Sequence, residues 1–148
     1  MRYLAVDLGL RRIGLAISDP GGRIASPHKQ LAACGRPPGD ADAVLAEARA
    51  AEAEALVVGL PINMDGTHGP MAQASEAFAD VLRERGKLPV HLFDERLTSH
   101  AADAVLDAAG WGRRNKRRKR HRDMLAAQVL LQTFLDQRAQ SSQSSASS

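Results

Sequence analysis

Three acids stand where packing alone would not put a charge. Asp7 interrupts an apolar run from Tyr3 to Leu8. Glu95 follows Asp94 directly after the apolar segment 89–93. Asp123 precedes Ala126, Ala127, Leu130, Leu131 and Phe134 at helical spacings, so it falls on the apolar stripe of a helix. A carboxylate on a buried face needs a partner, because an unpaired buried charge is very costly. Arg11 or Arg12 could pair with Asp7, and Arg96 with Glu95. Asp123 could serve a helix N-terminus, a dipole effect of about 0.3–1 kcal/mol. Taken together, the acids suit a different chemistry. Converging carboxylates raise one another's pKa, and divalent cations relieve the repulsion. Oxygen-only ligands favour Mg²⁺ or Mn²⁺ over Zn²⁺. Two such ions about 3.5–4 Å apart can promote phosphodiester hydrolysis by activating water and stabilising the leaving oxygen.

A second feature sits immediately before Asp123. Between Arg113 and Arg122 there are eight basic residues and no acid: Arg113, Arg114, Lys116, Arg117, Arg118, Lys119, Arg120 and Arg122. The net charge of +3 hides this asymmetry, since the remaining twelve bases face 17 acids. A block of like charge is costly to hold together unless an anion meets it. It reads either as a solvated loop or as a phosphate-binding arm beside the acids. With five aromatics in the whole chain, base stacking has little material.

The elements that must position these groups follow from hydrophobic period and turn chemistry. Residues 2–8 and 13–18 read as strands joined by a short hairpin connection. Asp19-Pro-Gly-Gly22 is a turn. Residues 23–30 make a third strand, with Pro27 placing it at an edge. Residues 34–39 read as a Gly/Pro loop and 40–54 as a helix. Ala55 to Leu60 is continuously apolar, as in a strand buried on both faces. Pro70 opens a helix that stops before Gly86, and residues 89–93 form the last strand, delivering Asp94 and Glu95 at its end. Thr98 or Ser99 caps a helix to about Ala109. The basic loop comes next, then a helix from Arg122 to about Gln137. The order predicts a mixed five-stranded α/β sheet, a three-strand meander followed by two parallel strands, with helices on both faces. The ends of the first and last strands then lie side by side, where ligands sit in open α/β sheets.

At 148 residues the chain suits one domain, expected over 1–138, with a disordered Ser-rich tail at 139–148. One cysteine excludes an internal disulfide framework. No apolar run reaches the roughly 20 residues of a membrane span, and no signal-peptide pattern opens the chain. The expectation is a soluble cytoplasmic protein without a membrane partner. The pattern Asp7-x-Gly9-x-x-x-x-Gly14 also fits the first phosphate loop of actin-like and sugar kinases. Those enzymes hold nucleotide between two such domains, and this chain has length for one.

Four blocks then resemble a known family: Asp7–Asp19 (DLGLRRIGLAISD), Val58–Pro70 (VGLPINMDGTHGP), Asp94–Ser99 (DERLTS), and Lys116–Lys119 with Asp123–Ala127 and Leu131–Asp136. In this order they are similar to the YqgF-type proteins of the RNase H-like superfamily, described as pre-16S rRNA nucleases and earlier as Holliday junction resolvases. The resemblance implies an RNase H-like fold and a metal-dependent nuclease centre. It implies Asp7, Glu95 and Asp123 as catalytic residues and as ligands of Mg²⁺ or Mn²⁺. It leaves Asp19, Asp65 and Asp94 as turn- or loop-fixing acids. Arg11, Arg12, Arg96, Lys116, Arg117, Arg118, Lys119 and Arg120 become candidate contacts to nucleic acid. The implied substrate is structured RNA, the pre-16S rRNA 5′ end. The alternatives are branched DNA, cut by a junction resolvase, or a non-catalytic nucleic-acid-binding factor associated with ribosomal particles. Both monomer and homodimer fit these readings.

Overall fold

The computed structural model describes the backbone of residues 1–97 and 117–146, and the side chains of 1–96 and 125–141. Strands β1 (Tyr3–Leu8), β2 (Arg12–Ser18) and β3 (Ala25–Ala32) form an antiparallel meander. Helix α1 (Pro37–Ala50) leads to β4 (Ala55–Leu60), and α2 (Pro70–Gly86) leads to β5 (Val90–Asp94). A 3-10 turn, Glu95–Leu97, follows, and α3 (Arg117–Ala146) is the last helix. The sheet order is β3-β2-β1-β4-β5, with β4 parallel to both β1 and β5. This is the predicted mixed sheet, and Pro27 does lie on an edge strand.

The continuous apolar runs are explained by burial on both faces. Leu4, Val6, Leu56 and Val58 face a core built with Val44 and Leu45 of α1 and Phe78 and Leu82 of α2. Tyr3, Ala5, Ala55, Val57 and Phe93 face the opposite way, onto Ala127, Leu130, Leu131 and Phe134 of α3. Strand alternation therefore assigns Asp7 and Gly59 to the α3 side, two residues beyond Ala5 and Val57.

Several boundaries differ from expectation: β3 spans Ala25–Ala32 rather than 23–30, α1 ends at Ala50 rather than Glu54, and α2 includes Gly86. α1 begins at Pro37, not Asp40. A proline is helix-compatible at the first turn, and Arg36 before it is extended at φ −114°, as a residue preceding proline prefers. Asp40 then lies inside the first turn, where its Oδ1 accepts the Cys34 N–H at 2.8 Å and ties down the preceding loop. α3 begins at Arg117, so Arg117 to His121 are helical where a basic loop is expected. It also runs past Gln137 to Ala146, so residues 139–146 are helical where disorder is expected. No Gly or Pro interrupts 117–146, and extending a formed helix costs far less than nucleating one. The expected helix from Thr98 to Ala109 and the bases 113–116 lie outside the described residues. No helix among the described residues is long and apolar enough to cross a membrane.

Amide side chains clip α3 to the sheet. Gln132 accepts the Ala25 N–H at 2.9 Å and donates to the Arg23 carbonyl at 2.9 Å. Gln128 donates to the Ala25 carbonyl at 3.2 Å. Ala25 is buried, so Gln132→Ala strands its N–H without a partner. The expected cost is about 1–3 kcal/mol, read from urea unfolding.

Further along α3, Phe134 packs edge-on to Tyr3 and Phe93 with ring centroids 5.3 and 5.9 Å apart. His91 of β5 lies 5.3 Å from the same ring. Arg138 sits 5.6 Å over Phe134. Burial holds the His91 imidazole below its ordinary pKa, helped by the charges of Arg138 and Arg83. The unfolded chain therefore takes up this proton first as pH falls. His91 contributes stability that is whole above about pH 6.5 and is lost on acidification through its folded pKa. Between pH 7.5 and 5 the urea midpoint of the parent should fall more than that of His91→Phe.

Candidate active site

The site is built at the carboxyl ends of β1, β4 and β5. Asp7, opposite Gly14 of β2, is the last-but-one residue of β1 and is half-buried. The next register step beyond the Val6–Val58 pair is Gly59, which pairs across β4–β5 with Phe93. Glu95 opens the turn after β5, and its carboxyl lies over Gly59. A Cβ built on Gly59 would stand 3.0 Å from Glu95 Cδ and 3.2 Å from Cγ, and nearer still to Oε1. Only a residue without a side chain leaves room for this acid.

Across that glycine the Glu95 carboxyl hydrogen-bonds with Asp7. Two carboxyls can bond only while they hold a proton between them. Burial pushes Glu95 up from its ordinary value, the Asp7 bond works against that shift, and the charge of Asp94 adds to it. The pair presents hard oxygen donors with surplus negative charge once the proton leaves. That donor set fits Mg²⁺ or Mn²⁺. The third acid, Asp123, lies in α3 one turn before the buried Ala127, and its side chain is outside the described set. Among the described residues no group of three acids, imidazoles or thiols converges.

The neighbouring acids do other work. Asp94 accepts from Arg96 Nη2 at 2.7 Å, from Nε at 3.0 Å and from the Arg96 N–H at 2.9 Å. These bonds hold its carboxyl below the usual range. Arg96, a candidate phosphate contact, is thus engaged with Asp94, and its Nη1 lies 3.5 Å from the Asn63 carbonyl. Asp19 accepts the Arg23 and Ile24 N–H groups at 2.7 and 2.9 Å. Asp65 accepts the Thr67 N–H at 2.9 Å and its hydroxyl at 2.6 Å. Each closes a turn or loop, as expected. Arg11 and Arg12 are exposed in the hairpin at the Asp7 end. Arg117, Arg118, Lys119 and Arg120 fall in the first turn of α3, their side chains undescribed, and Lys116 lies outside the described residues.

Sequence reasoning passed over Gly59, although a glycine inside an otherwise apolar strand is itself a signal of close approach. It also passed over His68 and Glu76, which meet at 2.5 Å between the loop after β4 and α2.

A five-stranded sheet of this order, sandwiched between helices, with acids at the ends of its first and last strands, is the RNase H-like architecture. The fold is shared with Thermus thermophilus RuvC, solved in complex with a Holliday junction substrate: TM-score 0.56, 14% identity, covering 94% of this chain and 96% of that one. The chain belongs to the RuvX family, described as Holliday junction resolvase, which matches residues 1–137. It is 43% identical over 136 residues to a Syntrophomonas wolfei protein named "Putative pre-16S rRNA nuclease", covering 92% of this chain and 94% of that one. A protein of the same name from Anaeromyxobacter dehalogenans is 45% identical over 139 residues, covering 94% of this chain and 99% of the other.

Proposed function

We propose that the protein is a divalent-cation-dependent endonuclease that matures the 5′ end of pre-16S rRNA in the cytoplasm. The observation that carries this reading is the apposed Asp7–Glu95 pair over Gly59, at the strand ends of an RNase H-like sheet. Asp7, Glu95 and Asp123 are the proposed ligands of Mg²⁺ or Mn²⁺. Helical periodicity supports Asp123, since position 123 shares the stripe of Ala127, Leu130 and Phe134. The chemistry such cations supply is activation of the attacking water and stabilisation of the leaving oxygen.

The chain's own groups do the rest. Gly59 leaves Glu95 the space to face Asp7. The Arg96–Asp94 pair fixes the turn that carries Glu95. The bases from Arg113 to Arg122 hold the polyanion. Five of them fall in the first turns of α3, where cationic charge opposes the helix dipole and a bound phosphate relieves the conflict. Arg11 and Arg12 extend this grip to the hairpin side.

The test is cleavage of a pre-16S transcript with Mg²⁺ and with chelator, for the parent and Glu95→Gln. The expected result is a discrete, Mg²⁺-dependent cut that Glu95→Gln loses. Equal cutting by the variant would remove the assigned centre, and binding without any cut would favour a non-catalytic factor. The family description favours one second reading, resolution of branched DNA. A resolvase cuts two strands symmetrically and should act as a two-fold dimer. Preference for a four-way DNA junction over the transcript, with dimers on the junction, would select it.

A further inference from the structure

One more titratable cluster stands at the same end of the sheet. His68 ends the loop between β4 and α2, and its Nδ1 lies 2.5 Å from Oε1 of Glu76 on α2. Gln73 Nε2 donates to the His68 carbonyl at 3.1 Å, fixing the backbone as well as the ring. The preceding residue, Thr67, accepts the Asn63 N–H at its carbonyl at 2.9 Å and the Asn63 side-chain amide at its hydroxyl at 3.0 Å. Asn63 in turn faces Arg96, which holds Asp94. A chain of contacts thus runs from His68 to the residues on either side of Glu95. The positive charge of His68 is close enough to help lower the Asp94 carboxyl.

A carboxylate on Nδ1 orients an imidazole and leaves Nε2 as its working nitrogen. Nε2 of His68 makes no hydrogen bond among the described residues, and the side chain is 42% exposed. A loop clip would need no such arrangement, since Asp65, Thr67 and Asn63 already close the loop without it.

We propose that His68, oriented by Glu76, donates the proton that the leaving oxygen takes up during phosphodiester hydrolysis. This rests on the nuclease reading above. In the step, the oxygen of water forms a bond to phosphorus. The bond from phosphorus to the leaving oxygen breaks, and its electron pair stays on that oxygen. The proton on His68 Nε2 completes the new hydroxyl. The surplus proton of the attacking water passes to solvent, and the imidazole recovers its own from solvent. Glu76 is a positioning residue, acting only through His68. The charged groups near His68 are Glu76 from α2 and Asp94 at the end of β5, the latter held by Arg96.

The experiment measures kcat for Mg²⁺-dependent cleavage of a pre-16S transcript from pH 5.5 to 9. It uses the parent, His68→Gln, His68→Ala and Glu76→Gln, with urea unfolding of each as a check on folding. His68→Gln should lower kcat about a hundredfold and abolish the alkaline fall in rate that marks loss of a general acid. Glu76→Gln should lower kcat less than His68→Gln does, keep that fall, and gain nothing from free imidazole. Free imidazole should restore at least tenfold to His68→Ala. A parent that cuts, with a His68→Gln variant within twofold of it, overturns the inference. So does a slow variant that keeps the parental pH limb and ignores imidazole, since that is the behaviour of a structural clip. A parent that does not cut overturns this inference and the nuclease reading together.

Discussion

Gly59→Ala should slow cleavage by about a hundredfold or more while leaving a cooperatively folded protein. Gly59 is not among the positive-φ glycines, so its backbone accepts an alanine without strain. What the new methyl meets is the Glu95 side chain, at Cγ, Cδ and Oε1. Those atoms are the far end of a flexible chain on a half-buried residue, so the structure yields by swinging the carboxyl aside. Stability should change by less than about 2 kcal/mol, the scale of most single substitutions. Catalysis is far less forgiving, because a misplacement of about 1 Å can cost a hundredfold. Glu95→Gln should lose activity because it removes the same carboxylate, and the double variant should be no slower than the worse single one, as expected for groups acting as a unit. Parental cutting by Gly59→Ala would mean that the carboxyl resting on it has no part in the reaction.

Much of this arrangement is legible in the residues. The apolar run of β1 and that of β4 could only be strands covered on both sides, and the fold covers them with α1 and α2 on one face and α3 on the other. The charge inside the first run marks Asp7, because nothing in packing accounts for it. What resists reading is whatever depends on loop conformation. Nothing in the spacing of His68 and Glu76 says that they meet, since eight residues spanning a loop end and a helix turn can adopt many separations. Ends of helices are equally opaque where propensity is even. The arginines from Arg117 suit a helix as well as a loop, and only the docked stripe from Ala127 onward decides. Asp94 and Glu95 differ in the fold through Arg96, which takes Asp94 in a fork and leaves Glu95 to cross Gly59. That division follows from the turn after β5, which no periodicity encodes.

Asp7→Asn should move activity and stability in opposite directions. Cleavage should fall about a thousandfold or more, because a proposed cation ligand becomes a neutral amide. Resistance to unfolding should rise by about 0.5–2 kcal/mol in the absence of divalent cations, the usual return when a strained site is relieved. The sign follows from Glu95, whose carboxyl is raised chiefly by burial. The folded protein therefore keeps this proton to higher pH than the unfolded chain. Its contribution to stability is full below about pH 4.5 and is lost as pH rises through the folded pKa. An asparagine at position 7 gives Glu95 an N–H donor that requires no shared proton, so this alkaline loss becomes shallower. Cations should act on the parent alone. A ligand that binds only the folded state at about a hundred times its Kd adds roughly 2.7 kcal/mol. For a chain of this size each kcal/mol is worth about 2–4 °C in Tm. Thermal unfolding at pH 5 and pH 8, with and without Mn²⁺, reads all of these terms at once. The parent should gain Tm with Mn²⁺, and gain more at pH 8 than at pH 5, since a proton on the raised Glu95 carboxyl competes with the cation. The variant should start higher and gain nothing. A parent indifferent to Mn²⁺, matched by an Asp7→Asn protein no more stable than itself, would mean that these two carboxyls meet for structural reasons only.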